Sequence, residues 1–231
     1  MKLKKIAQDF HLKAGQTRKP SHEEGLTALQ EAPELFKQAA RAILSGCFLV
    51  KSGSKEVRIY PTCVEIYYHE ECGDGVKDPI VYHRNRPQKS EPQKSEPCFP
   101  LGVLHNHVSG IDITFEHDDG NPSNPVVRAS ALIREFRIGK EGANETRSTY
   151  LYQALYGQFS IFDGFTVSWE DGDEQRELSE PAVRKNVAVY EEKGADFGKI
   201  PYKDSHKANG VQKCLSTKHI QDLRKWQFRL R

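Results

Sequence analysis

Stretches with the residue pattern of β-strands are the feature that most restricts the fold of this chain. They lie at 57–68, 101–116, 126–136 and 159–169, and they are rich in β-branched and aromatic residues. Where apolar and polar residues alternate, one face of the strand is buried and the other is more polar. The spacing between the stretches does not repeat a strand–helix–strand unit, and it therefore indicates the α+β class.

Two helices and a hairpin are expected beside these strands. Residues 31–45 carry apolar side chains at helical spacing, opened by Pro33 and stopped by Gly46, and residues 149–157 fit a second, shorter helix. The apolar run at 47–50 leads through a Ser-Gly-Ser turn into the next strand stretch, which predicts two hairpin-connected strands.

The length of 231 residues is typical of one domain with tails. Residues 1–28 are polar, without sustained periodicity, and are predicted to be a disordered basic arm, so that the domain spans 29–231. Within it, the pentapeptide Gln-Lys-Ser-Glu-Pro occurs twice in succession at 88–97. This charged repeat predicts a low-complexity surface insertion at 86–98.

Composition and charge restrict the class of protein. No apolar run approaches the ~20 residues that cross a bilayer, and the N-terminal residues lack the apolar stretch of a signal peptide, so we expect a cytoplasmic protein without a membrane partner. Five scattered cysteines without a C-x-x-C pattern predict free thiols. The formal net charge is only +2, but residues 199–231 hold nine Lys and Arg against two Asp. That stretch is either a solvated face or a contact for DNA phosphates.

A metal site is one hypothesis for the tripeptide His105-Asn106-His107. Two histidines one residue apart on a strand point the same way, and Asp118 follows at the distance found in H-x-H metalloproteases. Phe115, however, stands where those sites need a serine. The alternative is two strand histidines that hydrogen-bond to their neighbours.

Glu65 is the candidate general base. It lies near the end of a strand, with Tyr67 and Tyr68 beside it and a glycine-rich loop after it. A carboxylate among aromatic side chains is suited to proton abstraction next to a stacking surface. The alternative is a glutamate that faces solvent.

The order of short motifs resembles that of the alkyladenine (3-methyladenine) DNA glycosylase family from about residue 33 to the C-terminus. Six segments match in sequence order the family's "ARALLG", "VETEAY", "LYVY-IYG", "VLLRA", "KLCQALGI" and "W-RFY". These segments are 39–46, 63–67, 102–110, 131–134, 150–157 and 226–229.

This resemblance implies a curved, largely antiparallel sheet with flanking helices and a protein that flips a damaged nucleotide out of DNA. It assigns Glu65 as the base that deprotonates a water, Arg134 as the residue that holds that water, and Tyr67 as a stacking face. His83, which follows Asp78, is the candidate for a second stacking residue. No cofactor is implied.

The strand that corresponds to "YVY-IYG" supplies His105, His107 and Ser109 as further candidate substrate-binding residues. Ser109 stands where the family has the tyrosine that fills the gap left by the flipped nucleotide, and it is too small for that task. The sequence therefore predicts either a divergent glycosylase for alkylated purines or a relative that does not repair DNA. A metal-dependent hydrolase built on His105, His107 and Asp118 and a non-catalytic nucleic-acid-binding module are the alternatives.

Overall fold

The structure is a computed structural model that describes the two ends of the chain and most of its central part. The residues described are 2–11, 32–71, 78, 97–120, 126–157, 160, 162–173, 176–184 and 225–231, together with the backbone of 188–190 and 219–221. His83 and most of the predicted insertion at 86–98 lie outside them. None of the helices in these ranges is long and apolar enough to cross a membrane.

Among the described residues, three short α-helices and one 3₁₀ turn accompany the strands. They are α1 (Lys2–Gln8), α2 (Glu34–Ser45), the turn Ser148–Tyr150 and α3 (Leu151–Tyr156). Pro33 and Gly46 flank α2 as the sequence predicts. Gly46 also has a packing role, because a Cβ atom there would lie 2.4 Å from the Trp169 ring. The chain can therefore pass from α2 into the next strand only with glycine at this position.

In the part of the chain that the structure describes, ten strands form one large sheet and one small one. They are β1 (Cys47–Ser52), β2 (Lys55–Glu70), β3 (Leu104–His107), β4 (Gly110–Thr114), β5 (Val127–Ile138), β6 (Asn144–Glu145), β7 (Thr166–Glu170), β8 (Ala188–Tyr190), β9 (His219–Gln221) and β10 (Gln227–Arg229). The large sheet has the order β3-β4-β5-β2-β1-β7, with β10 paired to β2 and β6 paired to β5, and β8 pairs with β9. All pairings are antiparallel. The large sheet curls into a half-barrel, so the predicted α+β class and the curved antiparallel sheet are confirmed.

Aromatic side chains fill the core beneath α2. The Phe36 ring lies 5.4 Å from that of Tyr68 in β2 and 5.0 Å from that of Trp226, which immediately precedes β10. All three are completely buried. Full burial of a large aromatic side chain is worth a few kcal/mol. The C-terminal segment is therefore fixed to the centre of the sheet by its own core residues.

The two central strands, β2 and β5, each contain one extra residue. Pro61 pairs with Phe136, Cys63 with Glu135, and Val64 with Ile133, so that Thr62 and Arg134 have no partner in the register. At this point the residues that face the core change from odd-numbered to even-numbered positions in both strands. In β2 they are Val57 and Ile59 before the irregularity and Val64, Ile66 and Tyr68 after it. In β5 they are Val127, Ala129, Ala131 and Ile133 before it and Phe136 after it. These two neighbouring bulges keep the apolar face continuous and redirect the side chains beside them.

The N-terminal segment differs from the disordered arm predicted over 1–28. Residues 2–8 form α1, and Leu3, Ala7 and Phe10 are buried. The Phe10 ring stacks 5.7 Å from that of Phe36 and lies 4.8 Å from that of Phe115. The described residues 2–11 contain four apolar and six polar side chains, and these few apolar contacts are enough to attach a short helix to an existing core. The polar composition of the segment did not predict this. Residues 12–31 lie outside the described part of the chain.

Replacing Phe10 by alanine tests whether this segment belongs to the core. Because the ring is 1% exposed and contacts other buried rings, we expect the Phe10→Ala variant to lose about 3–5 kcal/mol of unfolding free energy. Urea denaturation of the full chain measures this loss. Phe162, which is 93% exposed, provides the control, and its replacement by alanine should change stability by about 0.5 kcal/mol or less. Equal effects of the two substitutions would mean that α1 does not pack on the core.

Candidate functional site

The second face of the large sheet carries a group of polar side chains that we call the polar face: Glu65, Tyr67, Asp112, Ser130, Arg134 and Gln227. Glu65 and Tyr67 alternate along β2 with the core residues Val64 and Ile66 and therefore point away from α2. The register brings the strands of this face together, because Leu132 of β5 pairs with both Glu65 and Asp112. Asp112 and Glu65 thus lie two strands apart, about 10 Å between backbones.

Glu65 is completely buried and receives hydrogen bonds from three side chains. The Nε atom of Arg134 lies 3.0 Å from its Oε2 atom, and Tyr67 donates its hydroxyl to the same oxygen over 3.0 Å. Gln227 donates its side-chain N–H to Oε1 over 2.8 Å. An isolated buried carboxylate is very unfavourable, and these donors, one of them cationic, offset the loss of water. The solvent-facing alternative for Glu65 is therefore wrong.

Arg134 reaches Glu65 because it is the extra residue of the β5 bulge. Its side chain is 16% exposed and contacts the carboxylate directly. The family resemblance predicts that Glu65 and Arg134 share one pocket. In the structure the two side chains are in contact.

A second ion pair lies beside Arg134 on the same side of the sheet. Arg229 of β10 donates two hydrogen bonds to Glu135, and Asn144 donates to Glu135 over 2.9 Å. Cys63 lies between Arg229 and Glu135 in the register. The Arg229–Glu135 ion pair therefore borders the polar face on the side of β10, and the two opposite charges compensate each other.

Tyr67 connects the Glu65 carboxylate to a buried ion pair. The guanidinium of Arg184 lies 4.6 Å from the centre of the Tyr67 ring, and it forms an ion pair with Asp78 at 2.7 Å. Burial, followed by the negative charge of Glu65, raises the pKa of Tyr67 well above its ordinary value of 10. Tyr67 therefore stays protonated and remains a donor to Glu65 across the physiological range. Arg184 occupies one side of the ring that the resemblance assigns to stacking.

His107 contacts Asp112. Its Nε2 atom lies 3.0 Å from Asp112 Oδ1, and its Nδ1 atom accepts the backbone N–H of Ser109 over 3.2 Å. Ser130 donates its hydroxyl to the other oxygen of Asp112 over 3.0 Å. The polar face therefore holds a second buried carboxylate with its own set of partners.

Two of the three proposed metal ligands lie side by side, since the rings of His105 and His107 are stacked with centres 5.6 Å apart, but Asp118 does not complete a metal-binding group with them. The His105 ring packs against Phe99 with ring centres 4.6 Å apart, and exposed Asp118 accepts the backbone N–H of Gly120 over 2.9 Å. Across the described residues, no group of three or more His, Cys, Asp or Glu side chains is placed to hold a metal ion. His107 instead fits the alternative hypothesis, because it accepts a hydrogen bond from the neighbouring Ser109 N–H.

Ser109 lies in the turn between β3 and β4. Its carbonyl accepts the Ser148 hydroxyl over 2.6 Å, and the Tyr152 hydroxyl lies 2.8 and 2.9 Å from the carbonyls of His107 and Gly110. This turn is held by the 3₁₀ turn and α3, and its most exposed side chain is Val108.

Sequence reasoning missed Asp112, Ser130 and Gln227. Asp112 stands between Ile111 and Ile113 in β4, and all three are buried. A charged residue alternating with isoleucines on a strand beside two histidines was the available signal. Gln227 was identifiable only from the pairing of β10 with β2, which no local pattern predicts.

Comparison of the chain with protein-family models, curated proteins and solved structures found no match.

The raised pKa of Tyr67 predicts how stability changes in alkali. Above about pH 10 an unfolded tyrosine loses its proton whereas Tyr67 keeps it, so the folded state binds more protons and stability falls as pH rises. We expect the Tyr67→Phe variant to lose less unfolding free energy than the unmodified protein between about pH 9 and 11. Urea titrations at several pH values measure the difference between the two proteins, which cancels the contribution of the other tyrosines. Parallel curves would show that Tyr67 ionises normally.

Proposed function

We propose that this protein is a divergent DNA glycosylase-like hydrolase that cuts the N-glycosidic bond of alkylated purines, with Glu65 as the general base. The observation that carries the proposal is the buried Glu65 carboxylate, held by Arg134 and Tyr67 at 3.0 Å each. The glycosylase fold, DNA as partner and a role in base excision belong to the same proposal. The motif order in the sequence supports it.

The proposed chemistry uses the negative charge of Glu65. Breaking the bond between the sugar and the purine leaves positive charge on the sugar ring, and a nearby ionised carboxylate stabilises that charge. Glu65 then accepts a proton from the attacking water. Arg134 pairs with Glu65 and is a partially exposed cation beside the carboxylate, where it can hold the attacking water. The electron pair of the broken bond leaves with the purine.

The turn at Ser109 restricts the proposed substrate. Ser109 cannot fill the space of a nucleotide flipped out of a duplex, and Val108, which is 77% exposed, is the largest side chain at the tip of the turn. A nucleotide in single-stranded DNA leaves no gap in a base stack that a side chain must fill, and less energy is needed to bring its base into a pocket. We therefore expect single-stranded substrates to be processed at least as well as duplex ones.

Glu65→Gln tests the proposed reaction. In a base-release assay on methylated single-stranded and duplex DNA, we expect the variant to lose about 100-fold or more of the activity, because proton abstraction contributes about that much. Its unfolding free energy should also fall, by about 3–5 kcal/mol, because the amide leaves Arg134 without its anionic partner and turns an N–H group toward another donor. Base release therefore decides between the roles: a purely structural Glu65 would give no base release in either protein.

Glu116→Gln is the matched control for this test. Glu116 is a buried glutamate paired with Arg128 at 3.0 Å, and it is not part of the polar face. Its replacement should lower stability and leave base release intact. DNA binding that weakens steeply with salt, without any base release, would assign the protein to the non-catalytic binding class instead.

A further inference from the structure

An open cleft of about 740 Å³ lies between the end of β5, the short strand β6 and α3. Two buried side chains, Phe136 and Ala154, line it. The rest of its lining is also apolar, apart from Glu145, Tyr150 and Gln153. Clefts that hold small molecules have about 300–1,000 Å³ and the same kind of lining, in which a few polar groups stand among apolar ones. No residue of the polar face lines this cleft.

Glu145 is the charged residue of this lining, and Arg147 compensates its charge. The Arg147 side chain donates to both carboxylate oxygens, over 2.9 and 2.7 Å, and the Arg147 backbone N–H donates over 2.8 Å. These hydrogen bonds lower the pKa of Glu145 to about 2, so the carboxylate stays ionised and paired at neutral pH. The lining therefore carries no net charge. An uncharged ligand fits it better than an ion, which would lose its water without gaining a counter-charge.

Tyr150 provides a flat aromatic surface at the cleft. The guanidinium carbon of Arg147 lies 3.5 Å from the centre of the Tyr150 ring. A guanidinium over one face of an aromatic ring is an attractive contact, and it holds the ring in place. Tyr150 is still 38% exposed and lines the cleft. The ring thus offers a fixed surface on which a second flat ring can stack.

Gln153 provides hydrogen-bonding groups beside that surface. It follows Tyr150 by three residues, which places the two on one side of the helical segment, and both line the cleft. The Gln153 amide has no hydrogen-bond partner within the part of the chain that the structure describes. A glutamine amide can donate one hydrogen bond and accept another from adjacent atoms of one ring, as N7 and N6 of adenine permit.

We propose that this cleft binds an uncharged purine base of the adenine type, which stacks on Tyr150 and exchanges hydrogen bonds with Gln153. The neutral lining, the aromatic surface and the amide match the three properties of such a base: no charge, a flat ring, and a donor next to an acceptor. The site needs no reaction at Glu65, so the inference goes beyond the proposed function. The base can belong to a free nucleoside or to a single strand of nucleic acid, since both present the same ring.

Calorimetry on the full chain with two nucleosides tests the hydrogen bonds to the base. Purine riboside has the ring system of adenosine without the amino group at C6, so it lacks the donor that Gln153 accepts. We expect adenosine to bind about three- to tenfold more tightly, which corresponds to one hydrogen bond. Gln153→Met keeps the length of the side chain and removes the amide, so it should reduce this preference to about twofold or less.

Tyr150→Ala tests the stacking surface. We expect it to weaken adenosine binding about fivefold or more, which is within the range that stacking of a base on an aromatic side chain contributes. Tyr156→Ala is the matched control, because Tyr156 lies on α3, is 37% exposed and packs against Phe165 without lining the cleft. Its replacement should leave adenosine binding unchanged. Urea denaturation shows whether both variants are folded, and Gln153→Met tests the site without removing the ring.

Three results would overturn the inference. The first is that adenosine does not bind to the unmodified protein. The second is that adenosine binds equally well to the Tyr150→Ala protein, or is weakened to the same extent by Tyr156→Ala. The third is that the unmodified protein binds adenosine and purine riboside equally.

A short single-stranded oligodeoxyadenylate distinguishes the two sources of the base. If the strand binds more tightly than adenosine and Tyr150→Ala removes the difference, the cleft is a contact for single-stranded nucleic acid. If adenosine binds at least as tightly as the strand, the cleft is a site for free nucleosides. None of these measurements depends on base release, so the proposed reaction can fail while this inference stands, and the reverse.

Discussion

The pairing of β2 with β5 across two compensating bulges is the constraint on which the rest of the structure depends. An extra residue in one strand alone would move every later side chain to the opposite face of the sheet. Because Thr62 and Arg134 are extra residues on adjacent strands, the apolar face stays continuous below α2. The same irregularity brings the Arg134 side chain to the Glu65 carboxylate. Core packing and site geometry thus share one local cause.

The sequence predicted much of this fold because its strong signals are local. The helix between Pro33 and Gly46, the hairpin after it and the short helix ending at Gly157 all follow from apolar spacing and chain-breaking residues. The bulges were also present in the sequence, as a change from odd to even apolar positions in β2. Because the alternation of apolar and polar residues shifts by one position at the bulge, it looks weak over the whole strand. It is clear in each half of the strand taken separately.

The site was predictable only in part, for a physical reason. Glu65 and Tyr67 lie on one strand, so a linear motif identifies them. Asp112 and Gln227 join them through strand pairing over 47 and 162 positions of sequence. Polar residues on a buried face satisfy one another through such distant contacts, and local propensity contains no information about them.

The two carboxylates of the polar face differ in their electrostatic environment although they lie on one surface. Arg134 compensates the charge of Glu65, which suits a group that must remain ionised while charge develops nearby. Asp112 contacts His107, whose position depends on the turn at Ser109, and accepts a hydrogen bond from Ser130. Ser148 and Tyr152, which follow β6 in the chain, hold this β3–β4 turn by donating hydrogen bonds to the carbonyls of Ser109 and His107. The turn beside Asp112 is thus supported by the 3₁₀ turn and α3, whereas Glu65 is held by Arg134 of β5, Tyr67 of β2 and Gln227 of β10. The two carboxylates therefore depend on different contacts although they lie on one surface.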